Sequence, residues 1–79
     1  MEENLRERLR EIVAEVAEID DVPDDTPFKD LGVDSMMAIE IIAEIERIYS
    51  LKVPEEEIEQ VVDLNSMVAL IEQKLEATS

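Results

Sequence analysis

The run Asp30-Leu31-Gly32-Val33-Asp34-Ser35-Met36 gathers the residue types in this chain that could support chemistry. Ser35 offers a hydroxyl, Asp34 sets a carboxylate beside it, and Gly32, the only glycine in the protein, stands three residues earlier. Glycine enters the left-handed backbone region without a Cβ clash, so Gly32 lets the chain turn sharply ahead of the serine. Asp34 and Ser35 are both favoured helix N-caps, because a side-chain oxygen can accept one of the first unpaired backbone N–H groups. From Met37 to Tyr49 the apolar residues recur at helical spacing. The hydroxyl is thus presented at the positive end of a helix, where a phosphate is electrostatically favoured. On these residues alone two readings stay open: a hydroxyl poised to work with a phosphate, or one that only caps the helix.

Hydrolytic chemistry at Ser35 lacks its parts. The chain has no histidine to act as base and no Gly-x-Ser-x-Gly elbow, the supports a nucleophilic serine requires. Lys29 and Lys52 are the nearest alternatives, and nothing in the sequence fixes either beside Ser35. Cysteine is absent, which removes disulfides, thiolate nucleophiles and thiolate metal sites. Asp20, Asp21, Asp24, Asp25 and Asp30 suggest a calcium loop, but an EF-hand needs glycine at its sixth position and oxygen ligands at its first, third and fifth. Setting Gly32 sixth puts Pro27 first and Lys29 third, so that reading fails and no metal site is expected. A serine without its own base makes sense if another enzyme activates it.

The elements that must position Ser35 read as helices. At about 100° per residue, Ala38, Ile41, Ile42, Ile45, Ile48 and Tyr49 form a core-facing row on the helix that follows the serine. Met36, Ile39 and Ala43 form a second row, bordered by Glu40, Glu46 and Arg47. An ordered apolar row rimmed by charge suits a docking strip; the alternative is a central helix buried on two sides. Upstream, Asn4 and Glu7 have the spacing of a capping box, so a first helix is expected to begin near Asn4. Its core stripe is Leu5, Leu9, Ile12, Val13 and Val16. Ile19 to Asp34, rich in proline, glycine and aspartate, reads as a long loop that Phe28, Leu31 and Val33 fasten to the core.

After a short connection, Pro54 fits the first turn of a third, short helix. There Glu55, Glu56 and Glu57 complement the helix dipole, and Ile58, Val61 and Val62 supply its apolar side. Asp63 caps a fourth helix with the core stripe Leu64, Met67, Val68, Ile71 and Leu75, and the tail from Glu76 to Ser79 is expected to fray. The expected fold class is all-α: a small four-helix bundle, three main helices plus one short one, with a long loop between helices one and two. One domain spans residues 1–79.

Composition narrows the partners. Twenty-two acids against seven Lys plus Arg give a net charge of −15. That repels the phosphates of nucleic acid and anionic membrane surfaces, and suits proteins with basic surfaces, whose approach it steers. No apolar run is long enough to span a bilayer and no signal peptide is visible, so a cytoplasmic protein is expected.

Leu31-Gly32-Val33-Asp34-Ser35-Met36 resembles the Leu-Gly-x-Asp-Ser-Leu signature of acyl carrier proteins. The likeness continues at Asp24 to Phe28, at Tyr49-Ser50-Leu51-Lys52-Val53-Pro54 and from Asp63-Leu64 into the last helix, so it covers the whole chain. The resemblance implies that Ser35 carries 4′-phosphopantetheine, presented by Asp34 and Gly32, and that a phosphopantetheinyl transferase moves the arm from coenzyme A with the help of Mg²⁺. The arm's thiol then supplies the cysteine the chain lacks, and acyl groups ride on it as thioesters. The domain would catalyse nothing itself; as a monomer it would deliver cargo to acyl-loading and synthase enzymes of fatty-acid, polyketide or specialised lipid synthesis. Helices one, two and four would part to admit an acyl chain. Docking would fall on Met36, Met37, Ile39, Glu40, Ala43 and Glu46.

Departures from the family pattern matter too. Met36 replaces the usual leucine, a near-isosteric change. Met37 and Ala38 stand where fatty-acid carriers commonly have acidic and small polar residues, which points toward a specialised carrier. Two other classes remain: a peptidyl or aminoacyl carrier, disfavoured by the strong acidity, and an unmodified acidic helical interaction module in which Ser35 is only a cap.

Overall fold

Three stripes of aliphatic residues, one on each long helix, meet in a shared interior. The computed structural model describes the backbone of residues 2–78 and the side chains of residues 5–76. It runs α1 (Glu2–Ala17), a 3₁₀ turn (Phe28–Leu31), α2 (Ser35–Tyr49), α3 (Glu55–Ile58) and α4 (Leu64–Thr78), with no strand among the described residues. α1 packs on α2 and α4, and α3 packs on α2. Leu9, Val13, Ile41, Ile42, Ile45, Leu64, Met67 and Ile71 are almost wholly excluded from water. Each such side chain contributes about 1.5–3 kcal/mol by burial. The all-α bundle with its long first loop is therefore the fold expected.

Several details differ from expectation. α1 is under way at Glu2, so the backbone of Asn4 is helical and Asn4 is no N-cap; its side chain lies outside the described residues. Glu7 instead approaches Arg10 at 3.3 Å. Ile48, at the edge of the core arc and in the last turn of α2, is 43% exposed rather than buried. Val62 leaves its side chain in water and serves through its backbone, where its carbonyl accepts the Phe28 N–H at 2.8 Å. Pro54 stands just ahead of α3 as its N-cap, not inside the first turn. α4 stays helical to Thr78, its last turns anchored by the partly buried Leu75; Ser79 lies outside the described residues.

The loop from Ile19 to Asp34 is held at both ends and in the middle. Val22, Phe28 and Val33 are buried and Leu31 is partly so. The Arg10 guanidinium donates to the Val22 carbonyl and, at 2.7 Å, to Asp24 Oδ1. Burial would lower the Arg10 pKa, but hydrogen bonds and charge from Asp24 and Glu7 outweigh it and hold the pKa above its ordinary value. Arg6 lies 3.5 Å from Asp24 and donates to Asn65 Oδ1 at 2.7 Å, while the Asn65 N–H bonds the Asp24 carbonyl at 3.0 Å. Asp24 thereby ties α1, the loop and the start of α4 together. The loop is long but not loose.

Candidate functional site

Gly32 closes the 3₁₀ turn with φ 86° and ψ 13°, the left-handed conformation. Its N–H bonds the Lys29 carbonyl at 3.2 Å, and the Val33 N–H bonds the Phe28 carbonyl at 3.0 Å. A Cβ at Gly32 would meet no atom within 4 Å, so glycine is favoured there by backbone conformation and not by crowding. Phe28 and Val33, both buried, fix the turn from below. The chain arrives at α2 with Asp34 extended as the N-cap: Asp34 Oδ1 accepts the Met37 N–H at 2.9 Å, and its carbonyl accepts the Ala38 N–H at 2.9 Å.

That cap decides one of the two open readings of Ser35. Ser35 is the first residue of α2, exposed, and its hydroxyl forms no hydrogen bond among the described residues. Capping belongs to Asp34 alone. The serine is left with a free hydroxyl at the dipole-positive end of a 15-residue helix.

Ser35 also stands on the rim of an open groove of about 580 Å³. The 27–33 segment forms one wall with Pro27, Phe28, Lys29 and Val33, and Ala38 and Ile39 of α2 form the floor. Glu55, Ile58, Glu59, Val61 and Val62 complete the lining, with Val62 joined to Phe28 by the backbone bond already described. The opening lies between α2, α3 and the loop, while helices one, two and four, which the resemblance expects to part around a cargo, meet in the closed core. The physical reason is the core: the facing stripes of α1, α2 and α4 are close-packed, whereas four-residue α3 covers α2 only in part. A groove of this size, largely apolar with a few charges at its edge, fits a flexible arm and a small attached chain. Sequence spacing missed the part of the lining that α3 and the residues after it supply, because Ile58, Val61 and Val62 carry no local signal of which way so short a helix turns.

On α2, Met36 is 74% exposed and Ile39 46% exposed, with Glu40 and Ala43 exposed beside them. A helix buried on two sides is thus ruled out for this row. Met37 is half-buried against the core, and half-buried Glu46 accepts the Val53 N–H at 2.6 Å. Both therefore have work inside the molecule.

The sequence profile of the phosphopantetheine attachment site family matches residues 7–71. The anthracycline acyl carrier protein of Streptomyces peucetius is 41% identical over 76 residues, covering 90% of each chain. A non-reducing polyketide synthase of Emericella nidulans is 36% identical over 69 residues, 85% of this chain; the chain spans 3% of that protein's length. Among solved structures, an acyl carrier protein from Thermotoga maritima superimposes with a TM-score of 0.85 at 25% identity, over 99% of this chain and 94% of that one. The 3-oxo-butyl-ACP intermediate mimic from the actinorhodin polyketide synthase of Streptomyces coelicolor gives 0.78 at 25% identity, over 94% and 93%.

Proposed function

Since this chain belongs to the phosphopantetheine attachment family of acyl carrier proteins, we propose that Ser35 is the residue to which its 4′-phosphopantetheine is joined. The observation that carries this is the hydroxyl itself: exposed, without a hydrogen-bond partner among the described residues, and set by the Asp34 cap on the rim of the groove. The protein is a non-catalytic carrier, and the arm, once attached, supplies the thiol that holds acyl groups as thioesters. What the chain contributes is presentation. Gly32 aims the loop, Asp34 caps α2 and leaves Ser35 unencumbered, and the groove walls offer apolar cover to whatever the arm brings.

The pathway is polyketide assembly. Likeness to carriers and synthases named for polyketide and anthracycline work supports that choice, as do Met37 and Ala38 in the first turn of α2, where fatty-acid carriers commonly have acidic and small polar residues. The partners are a phosphopantetheinyl transferase and synthase enzymes with basic surfaces, met in the cytoplasm by a monomeric carrier of net charge −15. They dock along Met36, Ile39, Glu40 and Ala43, with Met37 and Glu46 shaping that face from within. No helix among the described residues is long and apolar enough to cross a membrane.

Intact mass after incubation with a broad-specificity transferase, coenzyme A and Mg²⁺ tests the attachment. The native protein should gain one phosphopantetheine, and Ser35→Ala should gain none while keeping its helical circular dichroism. A folded native protein that gains nothing would return the chain to an unmodified interaction module.

A further inference from the structure

Lys29 is the one cation among the residues that line the groove beside Ser35. Among the described residues Arg6 and Arg10 bind Asp24, Arg47 binds Glu44, and Lys74 binds Glu57 at 2.6 Å. Lys29, like Arg8 and Lys52, enters none of these ion pairs, and of these three it alone lines the same groove as Ser35. The other charged residues lining that groove, Asp34, Glu55 and Glu59, are all carboxylates. Its backbone is not free to drift: the Lys29 carbonyl accepts the Gly32 N–H, and the adjacent Phe28 is bonded to Val62 and buried.

The electrostatics of the helix end favour a countercharge. A phosphodiester on Ser35 adds a negative charge to a rim already lined by three carboxylates. The N-terminus of α2 offers less than usual in return, because Asp34 already faces that dipole and occupies the Met37 N–H at 2.9 Å. A lysine ammonium is a compact point charge on a flexible stem, suited to following an anion that is not held bidentately. We propose that Lys29 is a positioning residue that pairs with the phosphodiester joining the arm to Ser35 and holds the first part of the arm against the groove. This rests on the attachment reading above and deepens it.

The test uses native protein, Lys29→Gln and Lys29→Arg, each loaded with phosphopantetheine and checked by intact mass. Phosphorus-31 resonances and melting temperatures are compared with and without the arm, at low salt and at about 1 M salt, where the Debye length falls to roughly 3 Å. Lys29→Gln should move the phosphorus resonance at low salt and enlarge the drop in melting temperature on loading. Lys29→Arg should restore both, and at 1 M salt the variants should converge. Identical resonances and identical loading effects in native and Gln proteins overturn the assignment, as does a difference that persists unchanged at high salt. A difference seen only when the arm carries a carboxylated malonyl group also overturns it, because Lys29 would then be reading cargo. No mass gain by the native protein overturns the attachment reading and this pairing together, whereas loaded proteins that fail the comparison remove only the pairing.

Discussion

α2 and α4 begin with the same two residue types, and their serines end in opposite conditions. At α4, Asp63 Oδ1 accepts the Ser66 N–H at 2.9 Å, while Ser66 Oγ accepts the N–H groups of Val62 and Asp63 and donates to the Asp63 carbonyl. This is a reciprocal capping box with serine in the place usually held by Glu or Gln. At α2 the serine directly follows its aspartate, two residues too early to reach back, so the cap is made by Asp34 and the hydroxyl points outward unbonded. The difference is register. Two residues of spacing turn the same pair from a structural lock into an exposed, unbonded hydroxyl.

The largest effect that could break this contrast is all-or-none. Ser35→Ala should abolish pantetheinylation and leave the melting temperature nearly unchanged, whereas Ser66→Ala should load normally and lose about 1–2 kcal/mol, since two backbone donors lose their acceptor. At roughly 4–8 °C per kcal/mol for a domain this small, a thermal melt beside a mass spectrum reads both variants. An arm found on Ser66, or a Ser66→Ala protein as stable as the native one, would erase the distinction.

The caps themselves come next. Asp34→Ala should cost about 1 kcal/mol, and Asp34→Asn, which keeps the accepting oxygen, should cost less. Because Ser35 needs only the geometry that the cap imposes, Asp34→Asn should load faster than Asp34→Ala in a transferase time course. If both load at the native rate, the cap is not what presents the hydroxyl.

How much of this was legible beforehand depends on the range of the interaction. The Ser35 stretch, the bundle and the exposed row of α2 follow from local spacing, and they lie where the periodicities of Ala38–Tyr49 and Leu5–Val16 put them. The Asp63 cap was likewise legible, and Ser66 completes it three residues on; the Asp24 tie and the Glu46–Val53 bond were not, because each depends on where a loop folds back. The groove beside Ser35 was not legible for the same reason: which helices leave a gap depends on how much of α2 the short α3 covers, a tertiary matter.

Beyond the helix start, the exposed row of α2 predicts a smaller and condition-dependent effect on transfer. Ile39→Ala, at a side chain 46% exposed and also lining the groove, should slow transfer to a synthase partner in a manner that resists salt. Glu40→Gln should slow it only at low ionic strength, since rim charges act mainly on approach. Glu46 is unsuited to that comparison, because removing its carboxylate also deprives the Val53 N–H of its partner. Partner kinetics at two salt concentrations separate apolar contact from steering, and equal salt dependence for Ile39→Ala and Glu40→Gln would show no such division.

A third serine extends the contrast to a helix end. Ser50 follows α2 with φ 57° and ψ 50°, and the Leu51 N–H reaches back to the Glu46 carbonyl at 3.2 Å. This left-handed closure is one that glycine usually fills, and Glu18 does the same after α1 at φ 58°. A residue with a Cβ is strained there by roughly 1–2 kcal/mol, partly offset by the greater freedom glycine has in the unfolded chain. Ser50→Gly should therefore stabilise the protein by less than about 1 kcal/mol, with loading unchanged because the exposed Ser50 hydroxyl has no part in it. Chemical denaturation resolves a change of that size when the slope with denaturant is the same for both proteins. A destabilised Ser50→Gly variant would mean that the hydroxyl, rather than the left-handed backbone, is what the end of α2 requires. Ser50 would then belong with Ser66, the locked serine, and Ser35 would be alone in being presented without a structural task.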